Sequence, residues 1–166
     1  YALNGIICDP VSFNGLFYQN FVEDACYRVN TTNTIFGGSI VNRNGGMNFT
    51  LDVTSSGLVS STVNDVAMTV LPNAPVDDTT GLPVPTIAVA TNGGASVIKD
   101  DGTVVDITYN GGSLVGYLVE FDDAGGIFWS GYSPFGNGQS IYLYWNKTLP
   151  SADDSSAPDA RYASNA

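Results

Sequence analysis

TVVDITY (103–109), SLVGYLVEF (113–121), IFWSGY (127–132) and QSIYLYW (139–145) follow one another along the chain, parted by NGG (110–112), DDAGG (122–126) and SPFGNG (133–138). β-Branched and aromatic residues fit a pleated surface, and Gly, Asn and Asp supply the backbone angles that tight hairpins need. The stretch therefore predicts a four-stranded antiparallel meander. In its second segment Val115, Tyr117, Val119 and Phe121 alternate with Leu114, Gly116, Leu118 and Glu120. Both faces are mostly apolar, so this strand is expected to lie centrally with cover on each side. In the last segment Ile141, Leu143 and Trp145 back onto Tyr142 and Tyr144. The rest of the chain must supply the layers that cover these faces.

Working outward, Thr86–Thr91 puts Ile87 and Val89 on one face, and Val97-Ile98 leads into a turn at 99–102. Pro72–Pro85 holds four prolines, which cannot donate a full ladder of hydrogen bonds, and reads as a crossover loop between two halves of a sandwich. Residues 60–71 fit helical spacing but are rich in β-branched residues, which favours a strand. Met47, Phe49, Leu51 and Val53 alternate with Asn48, Thr50, Asp52 and Thr54, the clearest period of two in the chain. With TIFGGSIV (34–41) before it, this reads as a hairpin through an Asn- and Gly-rich turn. The expected fold is an all-β antiparallel sandwich or jelly roll of roughly eight to ten strands, one domain over 1–150. The acidic tail 151–166 has almost nothing to bury and is expected to be disordered.

A chain of 166 residues buries roughly 70% of its unfolded surface, enough for one sizeable core. Only 13% of residues are charged, and 5 basic against 16 acidic residues give a net charge of −11. Such a surface repels phosphate backbones and anionic headgroups, so no nucleic acid partner and no membrane insertion are expected. The uncharged polar composition, and a start at Tyr1 as after removal of a signal peptide, point to a secreted, extracellular or cell-surface protein. Cys8 and Cys26, with no His in the chain, are expected to form a disulfide stabilising by on the order of 3 kcal/mol, the alternative being two buried thiols. Asn30, Asn48 and Asn146 each open an Asn-x-Thr triplet that fits N-glycosylation.

Without His, the commonest general base and the usual nucleophile pairs are missing. A carboxylate pair such as Glu120 with Asp106 would be the one route to a glycosidase, and an enzyme is not the expectation. Asp100-Asp101 and Asp122-Asp123 sit in turns where oxygen ligands for calcium could gather, although Asp also starts turns by bonding its own backbone. Calcium is the only cofactor the sequence suggests. Two functions fit. The first is a non-enzymatic structural subunit whose partners are copies of itself, assembled into a filament, pilus-like fibre or surface layer by strand donation. Its donor segment would draw on Tyr1, Leu3, Ile6, Leu16, Phe17, Tyr18 and Phe21. The second is a carbohydrate-binding module or lectin, with Trp129, Tyr142, Tyr144 and Trp145 stacking on glycans.

Overall fold

The computed structural model describes residues 2–11, 15–21, 24–36, 39–43, 49–78, 80–109, 114–132 and 141–163, and the chain is all-β, built from three antiparallel sheets. The first runs in sequence order through β1 (Ala2–Leu3), β2 (Ile6–Val11), β3 (Gly15–Asn20), β4 (Ala25–Val29), β5 (Thr32–Phe36) and β6 (Phe49–Ser56). One helical turn, α1 (Ile40–Arg43), lies between β5 and β6. The second sheet is ordered β10 (Val104–Ile107), β9 (Gly94–Ile98), β8 (Thr86–Thr91), β7 (Val63–Thr69). The third is ordered β11 (Val115–Phe121), β12 (Ile127–Tyr132), β13 (Ile141–Asn146), β14 (Ala160–Ala163).

The second sheet is the middle layer of a three-layer sandwich. Successive strand residues point to opposite faces, and here each face meets a different core. Val66, Ile87 and Val89 pack with Ile6, Cys8, Leu16 and Val29 of the first sheet. Ala67, Ala88, Ala90, Ala95 and Val97 pack with Val119, Ile127, Trp129 and Tyr144 of the third. Small residues on one side leave room for large rings on the other. Trp129 and Tyr144 stack there with centroids 4.4 Å apart and planes 24° apart, an arrangement worth about 0.5–1.5 kcal/mol beyond the area buried.

The strand covered on both faces is β8, buried at every position, and not the 113–121 segment. The latter is β11, an outer strand of the third sheet whose Tyr117, Leu118 and Glu120 are exposed. A β-bulge between Gly116 and Leu118 breaks its alternation, so Gly116 and Val119 turn inward and Tyr117 is left over. At Gly116 the backbone lies against the β8–β9 turn, where a Cβ would come within 2.7 Å of the Gly94 carbonyl oxygen. Asn64 Nδ2 donates to the Gly116 carbonyl, and the Val119 N–H donates to Asp65 Oδ2 at 3.1 Å, tying β11 to β7.

The expected C-terminal meander differs in its first and last members. Val104–Ile107 pairs with β9 because the Lys99–Gly102 turn folds it straight back, with Lys99 N–H on Thr103 O and Gly102 N–H on Lys99 O. The fourth strand of the third sheet is β14, from the tail expected to be disordered. That tail has few apolar groups but many acceptors. Asp153 Oδ1 accepts the Asp106 N–H, Asp154 exchanges backbone bonds with Asp106 and Thr108, and Asp159 Oδ2 accepts the Lys147 N–H. Arg161 then lies 5.1 Å over the Tyr142 ring.

Residues 63–69 are strand, which settles 60–71 against helix. The 72–85 loop is not a crossover, because β7 and β8 are antiparallel neighbours; it is a long hairpin connection pinned by a Val76–Pro83 bridge. Cys8 and Cys26 are not joined in a disulfide. Cys8 pairs with Tyr18 on one side of β3 and Cys26 pairs with Gln19 on the other, so the thiols sit two strands apart and on opposite faces. Strands spaced about 4.8 Å apart put that separation beyond the reach of a bridge.

Candidate functional site

Two surfaces stand out. The first is a cleft of about 880 Å³ where the first and second sheets part. Its base is the edge of a core, with Ile6, Val29, Ile87 and Ile98. Tyr18 and Tyr27 pair directly across β3 and β4, and their rings, 5.2 Å apart and tilted by 39°, stand at its wall. Asn20 and Asn33 share that inward face and are each only 8% exposed. Asp77, Thr80 and residues 82–85 form the opposite wall, held to the first sheet by Asn4 Nδ2 donating to Pro83 O at 2.7 Å. The rim carries Asp77, Asp100, Asp101 and Asp153 against the single cation Lys99.

The second surface is the outer face of the third sheet. Tyr142, Tyr144 and Asn146 turn inward on β13, so Ile141, Leu143 and Trp145 turn out. Register places Leu118 and Glu120 of β11, Phe128 and Tyr132 of β12, and Tyr162 of β14 on the same side. Ile141 is 56% and Tyr162 58% exposed, and Leu118 and Leu143 are also solvent-facing. Phe128 and Trp145 stack in parallel at 5.8 Å, and the indole donates to Asp122 Oδ2 at 2.8 Å. Among the described strand residues of this face Glu120 is the only charge.

The residues singled out from sequence fall unevenly. Trp129 and Tyr144 are buried and Tyr142 packs against the same core, so of the four rings of the glycan platform only Trp145 lies on the outer face. Glu120 is on that outer face while Asp106 sits on the middle layer facing the first sheet, so the carboxylate pair is not brought together. Asp106 is used structurally: Ser96 Oγ donates to it at 2.6 Å, and burial, reinforced by Asp153, raises its pKa.

The two aspartate pairs begin turns. Asp101 Oδ1 accepts the Thr103 N–H and hydroxyl, which hold its pKa below the ordinary value. Asp122 accepts from Trp145, Gly126 and Ala124, with the same direction of shift, while Asp123 is exposed in the same turn. No group of three or more candidate metal ligands gathers among the described residues.

Of the glycosylation triplets, Asn48 lies outside the described residues. Asn30 is partly exposed, its Oδ1 accepting the N–H and hydroxyl of Thr32. Asn146 is 6% exposed, with its Oδ1 accepting the Trp129 indole N–H. In the donor segment Tyr1 is outside the described residues, Ile6 and Leu16 are core, and Leu3, Phe17 and Tyr18 are partly covered within their own sheet; Phe21 is exposed.

Sequence reading missed Asn4, Asn20, Tyr27 and Asn33 as a group, since they come from separate strands that only stacking unites. The outer face had a signal, the apolar residues on both sides of 141–145. No protein-family model, curated protein or solved structure matches the chain.

Proposed function

We propose that this protein is a secreted, non-enzymatic structural subunit that associates with copies of itself in an extracellular assembly, and that the outer face of the third sheet is the contact. One observation carries the reading: Leu118, Phe128, Ile141, Leu143, Trp145 and Tyr162 share one sheet face on which, among the described strand residues, Glu120 is the only charge, with Asp122 held at its margin by the Trp145 indole. Contiguous exposed apolar surface of this kind marks an interaction site. Copies with a net charge of −11 repel one another, so close approach is least opposed where carboxylates are scarce.

Sheet faces pack about 10 Å apart by interleaving side chains, as the three layers of this chain already do among themselves. Such a contact is self-complementary and pairs two subunits. Growth into a filament or layer needs a second contact, for which β1 and β14, at the ends of their sheets among the described strands, offer edges. Strand donation by the N-terminal segment is the less direct route, because β1, β2 and β3 are already paired in their own sheet.

Light scattering after size exclusion, with electron micrographs of the same sample, tests this. Wild type is expected to run well above 17.4 kDa, and Leu143→Arg or Ile141→Lys to shift it to the monomer without loss of folding. A wild-type protein that stays at 17.4 kDa at high concentration would overturn the proposal.

A further inference from the structure

We infer that the cleft between the first and second sheets binds a saccharide that is neutral or carries an amine, a site separate from the assembly face and from the aromatic platform expected on the third sheet. Its volume of about 880 Å³ lies within the usual range for small-molecule sites, about 300–1,000 Å³. The depth is given by the gap between two layers and the width by residues 82–85, which the Asn4–Pro83 hydrogen bond and the Val76–Pro83 bridge hold in place.

The lining selects the chemistry. Tyr18 and Tyr27 offer ring faces on which the C–H side of a pyranose stacks, and their hydroxyls can both donate and accept. Asn20 lies on the same face with an amide that carries donors beside an acceptor, the pattern that two adjacent sugar hydroxyls complement, and Asn33 lines the cleft near it. Four carboxylates and one ammonium at the rim make the approach negative, so sialylated, sulfated and phosphorylated sugars are turned away while an amino group is drawn in.

The probe is an array of soluble oligosaccharides comprising neutral, amine-bearing and sialylated members, with hits measured by calorimetry. Neutral or amine-bearing members are expected to bind the wild type and the Leu143→Arg monomer alike, whereas Tyr27→Ala weakens binding at least tenfold with its fold retained. Should Tyr27→Ala fail to fold, Asp100→Ala at the rim serves in its place, expected to weaken an amine-bearing ligand more than a neutral one. Binding of the acidic members alone, no binding of any member, or binding unmoved by the cleft substitutions overturns the inference. Because the Leu143→Arg monomer keeps the cleft, failure here is distinct from failure of self-assembly.

Discussion

The indole Nε1 of Trp129 donates to Oδ1 of Asn146 across 3.1 Å, inside the layer between the second and third sheets. That bond takes the carboxamide of a glycosylation triplet into the core, where a transferase has no access to it in the folded chain. Expressed in a glycosylating host, the folded protein is expected to leave Asn146 unmodified, as read by peptide mass spectrometry. Asn146→Ala would strand a buried indole N–H and is expected to cost about 1–3 kcal/mol in urea unfolding. A glycan found on Asn146 of folded protein would contradict the packing.

The thiols of Cys8 and Cys26 face opposite sides of the first sheet. Burial pushes the Cys8 thiol up to about 12, so at pH 8 it stays protonated and poorly nucleophilic. Native protein is expected to alkylate slowly at Cys8, to alkylate fully in denaturant, and to melt at the same temperature with or without reductant. A crosslinked Cys8–Cys26 peptide in a non-reduced digest would count against this arrangement.

Asp106 carries a raised pKa, with burial the leading cause and Asp153 adding to it against the Ser96 hydrogen bond. The folded state thus holds this proton more tightly than the unfolded state, and the associated stability is lost as pH rises through the folded value. Asp106→Asn keeps an acceptor for Ser96 and removes the charge facing Asp153. Its melting temperature is expected to exceed wild type modestly at pH 7, solvent screening limiting the gain at this half-buried site. The difference should close as pH falls toward 3.8, whereas Asp101 and Asp154, with lowered values, keep their contribution down to 3.8 and lose it only below. A variant less stable than wild type at pH 7 would show that the charge is favourable there.

Truncation after Pro150 removes β14 and the Asp154 bridge to Ile107. Backbone hydrogen bonds at about 0.5–1.5 kcal/mol each put the expected loss at roughly 2 kcal/mol or more. Denaturant unfolding of the truncated chain measures it, and unchanged stability would mean that the tail only rests on the surface.

Local signals were readable where they were strictly local. The Asp- and Gly-bearing turns at 99–102 and 122–126, the strand at 63–69 and the all-β class follow from residue type and spacing. Layer membership did not follow. TIAVAT and SLVGYLVEF are both apolar on two faces, and only the bulge at Tyr117, a tertiary accommodation to the β8–β9 turn, turns Leu118 to solvent. The tail escaped notice because apolar content measures what a segment can bury and is blind to carboxylates that accept backbone N–H groups. The cysteines show the same limit: proximity in sequence is silent about the strand that comes between them. For the cleft, Tyr18 and Tyr27 were visible as aromatic residues, but their pairing with Asn20 and Asn33 depends on register alone.

The middle layer also has a meaning in time. The three sheets are built from successive stretches of chain, so a ribosome delivers the first, then the second, then the third. Until β11 to β14 emerge, the face made by Ala67, Ala88, Ala90, Ala95 and Val97 has no cover. A chain cut short before Leu114 would carry two finished sheets and one bare, sticky side, open to chaperones and proteases. The third sheet is thus the seal by which a chain grown past β14 is told from one halted before Leu114.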